Sequence, residues 1–279
     1  MFFKSLLLSI CLPALICSNA FGQTPLVEKT EAQNKWAAQG FFLAGYSPFT
    51  EINNNYSNTA LDLTSNFDFA GQGVKNQHFL WGAEFDLLYQ FRIPYLVGAG
   101  FAFTLDSPGS LDVKKQTREE FLKISYSLAS YLLHLKLGQE FYRGRNFFIR
   151  GFLEPKIGVG RLVISENVSG ADFGESRQNT STLQALAWGL SISIDTIWRF
   201  NIRNGMLFGL RAGFTSYNSF RGNDAFGNSG RLIRVPLSND TSKEVYKFLQ
   251  DGREIPGDQE DATFLLSEFV AYLGYWQAL

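Results

Sequence analysis

The stretch HFLWGAEFDLLYQFR, His78 to Arg92, alternates residue by residue. Phe79, Trp81, Ala83, Phe85, Leu87, Tyr89 and Phe91 are apolar and mostly aromatic, and most of the residues between them are polar or small: His78, Gly82, Glu84, Asp86, Gln90 and Arg92. A helix repeats its apolar face about every 3.6 residues, so a period of two held this long dictates a β-strand with two unlike faces. The alternation leaves open which face is wet. In a soluble sheet the aromatic face is the core. In a membrane barrel it meets lipid, and the acids point into a polar interior.

Other segments repeat the pattern. Tyr95 to Asp106 sets Tyr95, Val97, Ala99, Phe101, Phe103 and Leu105 against Gly98, Gly100, Thr104 and Asp106. Phe147 to Gly160 sets Ile149, Leu153, Ile157 and Val159 against Arg150, Glu154, Lys156, Gly158 and Gly160. Leu186 to Phe200 and Met206 to Phe214 alternate likewise, with Asp195, Arg199 and Arg211 on their polar sides. In Phe121 to Tyr142 the apolar residues are even-numbered up to Leu128 and odd-numbered from Ala129, which predicts a β-bulge there. Less regular strands at Trp36–Phe49 and Thr263–Leu279 complete a count of eight.

The connections are unequal. RIPY, YRGRNF and NIRNGM are short, and Asn204-Gly205 is a hairpin signal. Residues 50–77, 107–120, 166–181 and 219–262 are long connections rich in Asn, Ser, Gly and charge. Short and long alternate, so eight up-and-down strands would place every long loop on one side and both chain ends on the other. Within 219–262, GRLIRVPL and KEVYKFLQ are expected to pair as a protruding hairpin; two further spanning strands, giving ten, are the alternative.

The amino end, MFFKSLLLSICLPALICSNAFGQ, has a charged Lys4, a short apolar run and small residues before Ala20 and Gly22. It reads as a secretory signal peptide over 1–20, or 1–22, followed by a segment 21–35 ahead of the first strand. Both cysteines, Cys11 and Cys17, fall inside it. No later run is apolar for the 18 or so residues that a spanning helix needs. The net charge of −1 gives no pull toward nucleic acid.

Several features favour the membrane answer. The strands are longer than the five or six residues usual in soluble sheets. The polar face carries both signs of charge: Glu84, Asp86, Lys136, Glu140, Arg150, Glu154, Lys156, Asp195, Arg199 and Arg211. Trp188 and Trp198 lie ten residues apart on one apolar face, a rise of about 25 Å along a tilted strand, the spacing of two aromatic girdles. Phe79 and Trp81, with Tyr89 and Phe91, bracket a second strand the same way. The expected fold is therefore all-β: a closed antiparallel up-and-down transmembrane barrel of eight strands over 36–279.

The signal peptide, the amphipathic strands, the loop alternation and the final strand FLLSEFVAYLGYWQAL resemble the small outer-membrane β-barrels of diderm bacteria, of the OmpA-transmembrane or OmpX-type architecture. The likeness is one of pattern over nearly the whole mature chain. It implies residence among outer-membrane lipids, loops extracellular, both termini periplasmic, and recognition of the last strand by barrel assembly machinery. Gly274 fits that terminal signal, whereas Gln277 and the terminal Leu279 depart from it.

The chemistry read from the residues is sparse. Inward charges that nearly balance predict a plug of ion pairs, since buried charges must pair or be hydrated. A narrow conducting path through them, a small porin, is the rival. Inward Gly98, Gly100, Gly158 and Gly160 would leave room for long side chains from the opposite wall. A lipid-modifying hydrolase would need His78 beside an acid or serine at the rim, and no motif supplies one. No Cys or His pair has metal spacing. No enzyme, metal or cofactor is expected. The long loops are the expected place for an extracellular ligand.

Overall fold

The structure is a computed structural model. It describes residues 36–48, 50–66, 69–92, 94–115, 121–169, 177–237, 243–253 and 260–279. The chain divides into two units, 1–35 and 36–279, and every described residue belongs to the second. The signal peptide and the segment 21–35 lie outside the described residues.

Strands β1 (Trp36–Tyr46), β2 (Phe69–Arg92), β3 (Tyr95–Lys115), β4 (Phe121–Arg143), β5 (Phe147–Ser169), β6 (Arg177–Arg199) and β7 (Asn204–Tyr217) run in sequence, each antiparallel to the next. The last strand, β12 (Phe264–Ala278), pairs with β7 on one edge and with β1 on the other, as in Phe41 opposite Gly274. Stepping from neighbour to neighbour therefore returns to β1 after eight strands. None of the eight keeps a free edge along its paired length, which removes the row of unpaired N–H and C=O groups that an open sheet exposes.

Strands β2 to β6 are 21 to 24 residues long, against 11, 14 and 15 for β1, β7 and β12. The expected loops 107–120 and 166–181 are thus largely strand: Val113 pairs with Leu122, and Glu166 with Asn179. The reason is packing. Above the ring these strands still have an apolar inner face, set by Leu111, Val113, Tyr126, Leu128, Leu162 and Ile164.

Helix α1 (Thr50–Asn66) fills that upper space. Its Ile52, Tyr56 and Ala60 recur at four-residue intervals, one helical face, and all three are buried in the same apolar cluster. The helix packs against β2, β3 and β10 (Glu244–Gln250). Residues 50–66 are therefore helix where the sequence suggested loop.

The upper wall is completed by the connection between β7 and β12. Beyond Tyr217, β8 (Arg221–Asn223) takes over the edge of β6, with Gln184 opposite Arg221 and Thr182 opposite Asn223. β9 (Ser229–Pro236) pairs with β8, with β10 and with the short β11 (Glu260–Asp261). The segments GRLIRVPL and KEVYKFLQ thus form a hairpin outside the ring, Val235 opposite Val245.

Two local expectations are corrected. No bulge interrupts β4 at Leu128–Ala129. Both residues pair in unbroken register, with Asp106 and Leu105 on one side and Leu162 and Arg161 on the other. The even-numbered residues face inward from Tyr126 to Glu140, and the register shifts only beyond Glu140, where Tyr142 turns outward; what changes at Leu128 is the environment. Tyr126 and Leu128 look into the apolar space around α1, while Tyr131, Leu133, Leu135 and Leu137 look outward from the other face. Nor is Asn204-Gly205 the turn itself. Both open β7, and the bend before them is held by Asn201, whose side-chain oxygen accepts the N–H groups of Arg203 (2.8 Å) and Asn204 (2.9 Å).

Candidate functional site: the charged interior

The inward positions at mid-height bring the predicted charges together. On β2, Glu84 and Asp86 are two residues apart and so point the same way, into the ring. Lys136 of β4 reaches both: its Nζ lies 2.6 Å from Asp86 Oδ2 and 3.1 Å from Glu84 Oε1, and 3.5 Å from Glu154 Oε1 of β5. Arg211 of β7 closes the loop, its Nη2 2.7 Å from Glu84 and its Nε 2.9 Å from Glu154. Asp86, Lys136, Glu154 and Asp195 are fully buried.

Further contacts extend the network. His134 Nε2 lies 2.6 Å from Asp86 Oδ1 and 3.3 Å from Glu84. Gln39 of β1 donates to Asp86 Oδ2 at 2.7 Å. Lys156 pairs with Glu268 of β12, which also accepts from Ser191 at 3.2 Å. Asp195 accepts from the Tyr272 hydroxyl, and Glu154 from Ser193. Side chains from seven of the eight ring strands are thereby tied by ionic hydrogen bonds, the strong kind in a medium of low dielectric.

Glu140, Arg150 and Arg199 sit lower, toward the short turns. Glu140 pairs with Arg143 and lies 3.5 Å from Arg150. Arg199 is half-buried, and one Nη donates to the backbone carbonyl of Arg145. The ten predicted charges therefore fall into two levels, with Lys136 at the centre of the upper one.

Gln39, His134, Arg143, Glu268 and Tyr272 belong to the constellation as well. His134, beside Lys136, and Glu268 are legible in the sequence as inward positions, whereas Gln39 and Tyr272 lie on the first and last strands, where ragged alternation hid them. The readable signal was the step of two itself: Gln39 with Phe41 and Leu43, and Glu268 with Val270 and Tyr272, are all buried.

Both ends of the charge layer are apolar. Above it lies the cluster around α1, which includes Tyr217, Phe220 and Phe264; below it lie Leu88, Phe148, Phe152 and Trp276, while Phe41 stands opposite Glu84 at the level of the charges. The room left by Gly100 is taken by flanking strands rather than by the opposite wall. A Cβ there would sit 2.0 Å from Asp86 Oδ1 and 2.6 Å from His134 Nε2.

Glu84, Asp86 and His134 also offer ligand atoms within 4.8 Å of one another. Those same oxygens face Lys136 and Arg211, so the place a metal ion would take already carries positive charge. The side chain of His78 lies outside the described residues.

The opposite faces of the strands are apolar and open. Phe79, Trp81, Phe91, Trp188 and Trp198 are about half exposed or more, and Tyr89 is half-buried against Trp36, ring centres 4.7 Å apart. Phe91–Tyr95 and Tyr142–Phe147 pair at the short-turn end, Phe103–Tyr131 and Trp188–Phe214 at the other. Between the two rows Leu133, Ile157, Leu210 and Phe269 are 60% exposed or more. Higher up, the outward residues turn polar: Lys123 and Ser127 on β4, Arg161 and Asn167 on β5, Gln178 and Gln184 on β6.

No family model matches the chain, and no curated protein matches it. Among solved structures it is similar to the outer membrane protein OprG from Pseudomonas aeruginosa, at 12% identity and a TM-score of 0.35, over 87% of this chain and 94% of that one.

Proposed function

We propose that this chain is an integral outer-membrane β-barrel of the small, eight-stranded OmpA-transmembrane or OmpX type, with a lumen plugged by ion pairs and a structural or surface-binding role. The observation that carries the reading is the inversion of polarity across the wall. A belt of exposed aromatic and aliphatic side chains circles the ring, and the charges lie inside it. In water that belt would be a contiguous apolar patch of a kind a soluble monomer rarely exposes. In lipid the belt is no longer exposed to water, and the charges stay off the lipid, paired with one another inside the wall. On β4 the belt runs from Tyr131 to Phe141, a rise of about 25 Å for a tilted strand, which fits the apolar band of an outer membrane.

In this reading the short turns and both termini are periplasmic, and the tall walls, α1 and the β9–β10 hairpin are extracellular. The last strand, which pairs on both edges, is the one offered to assembly machinery. The protein is not an enzyme in this account, and its chief partner is lipid.

The tall collar supports a surface-binding role. At the tip between β8 and β9, Asp224 Oδ1 accepts the N–H groups of Phe226 (2.9 Å) and Asn228 (2.8 Å), and this fixed turn holds up Phe226, 69% exposed. Hydrogen bonds from the Asn228 side chain, and then from the turn, hold the Asp224 carboxyl down to about 2, so the turn keeps its form at any physiological pH.

A small porin is the rival reading, and conductance separates the two. The refolded protein in a planar bilayer is expected to be silent, because apolar clusters close the lumen above and below the ion pairs. Stable unitary current steps would favour the porin and make Glu84, Arg150 and Lys156 the residues to mutate for selectivity.

A further inference from the structure

The lower charge level differs from the upper one. Three guanidiniums gather on a single ring at the short-turn mouth. The central carbons of Arg199, Arg143 and Arg150 lie 4.4, 5.0 and 5.4 Å from the centre of Phe148, and Arg150 is also 5.8 Å from Trp276. Among the described residues, two carboxylates are set against them. Glu140 is held by Arg143, with Arg150 Nε at 3.5 Å, and Asp195, opposite Arg150 in register, gives one oxygen to the Tyr272 hydroxyl. The exposed turn residues Arg145 and Arg203 add positive charge at this end.

Buried donors belong to the same group of side chains. Among the described residues, Arg150 Nη1, Trp276 Nε1 and Gln90 Nε2 have no hydrogen-bond partner. Arg150 is 3% exposed and Trp276 5%. Gln90 is tethered beside them, its Oε1 accepting from Arg143 Nη2 at 3.0 Å. Leaving such groups unsatisfied is costly, and three donors in one cluster of guanidiniums suit an acceptor-rich anion.

We propose that this mouth binds a phosphate-class oxyanion, with Arg150 and Trp276 as buried donors and Arg143 and Arg199 meeting the anion at the rim. A planar carboxylate satisfies one guanidinium fork. A tetrahedral oxyanion accepts from several directions at once, and here donors come from β2, β4, β5, β6 and β12. Free phosphate and the phosphodiester of a phospholipid headgroup share this chemistry. The site stands on the ring and its contacts, so it does not depend on the ring lying in a membrane.

The test is calorimetric titration of the refolded protein at low, matched ionic strength. Inorganic phosphate is used in one arm and dihexanoyl phosphatidylglycerol, below its micellar concentration, in the other. Heat-dependent gel migration checks folding of each variant. One saturable site is expected, weakened roughly tenfold or more in Arg150→Gln, as for loss of a charged donor. Trp276→Phe keeps the ring and loses only the N–H; it is expected to bind several-fold more weakly, and it holds the test open should Arg150→Gln fail to fold. Arg161→Gln, on the outer face near the other end, is expected to bind as the parent does. Saturation by phosphate assigns a free anion. Saturation by the lipid alone, lost in the same variants, assigns a headgroup. No saturable binding in either arm, or binding equal in all four proteins, overturns the proposal. A ring that folds in buffer without detergent would sink the membrane reading and leave this titration intact.

Discussion

Replacing Lys136 with alanine is expected to destabilise the ring by about 3–5 kcal/mol, the cost of breaking a buried ion pair from one side. Lys136 Nζ is within 3.5 Å of three carboxylates, Glu84, Asp86 and Glu154, and is fully buried. Without it Arg211 and His134 face three acids alone, all of them buried. Lys136→Met fills the volume but leaves the same acids unpaired, so it is expected to recover only part of the loss. Urea titration of reversible folding into lipid vesicles reads the difference directly. Arg161→Ala, on the exposed face, should cost less than about 0.5 kcal/mol in the same assay. A Lys136→Ala protein as stable as its parent would mean that the acids are not held together as described.

Truncating Tyr56 to alanine is expected to weaken the docking of α1 by about 3–5 kcal/mol, as for loss of a buried aromatic side chain. Tyr56 is 1% exposed, and its hydroxyl both donates to the Gly109 carbonyl at 2.9 Å and accepts from the Tyr126 N–H at 3.0 Å. Tyr56→Phe removes only those bonds and should cost roughly 1–2 kcal/mol. The two contacts of α1 with β10, Asn55 to the Tyr246 N–H and Asn58 to the Glu244 carbonyl, do not replace the buried ring. The helix lies outside the ring ladders, so its release should leave them intact. Limited proteolysis is expected to cut Tyr56→Ala within 50–66 while the heat-dependent gel shift persists. A helix as protected as in the parent would show that α1 is held by something other than this face.

The strand period was legible because one face of each strand meets a uniform surrounding. Along β2 from Phe79 to Phe91 the outer neighbours stay apolar, and the inner ones are polar or glycine apart from Leu80 and Leu88, so the alternation is clear. It fails to report where the inside changes character. On β4 the inner residues pass from Lys136 and His134 to Leu128 and Tyr126 as the space around them passes from ion pairs to α1. Two apolar sets of opposite parity then look like a shift of register. The helix hid for a related reason. TEINNNYSNTALDLTSN shows an Asn- and Ser-rich surface, and only Ile52, Tyr56 and Ala60 mark the buried stripe. The pairing partners of Lys136 across the ring were beyond reach of the sequence, because contacts between Glu84 and Arg211 join positions 127 residues apart.

Lipid exposure of the outer face is best measured by a nitroxide label on single cysteines, introduced after replacing Cys11 and Cys17, the native thiols. Leu133→Cys sits outward in mid-belt, 61% exposed, and Lys123→Cys sits outward above it. In vesicles, power saturation is expected to show the Leu133 label accessible to oxygen and shielded from a water-soluble nickel chelate, and the Lys123 label the reverse. Equal access of the nickel chelate to both labels would contradict the account, because the aromatic belt would then face water.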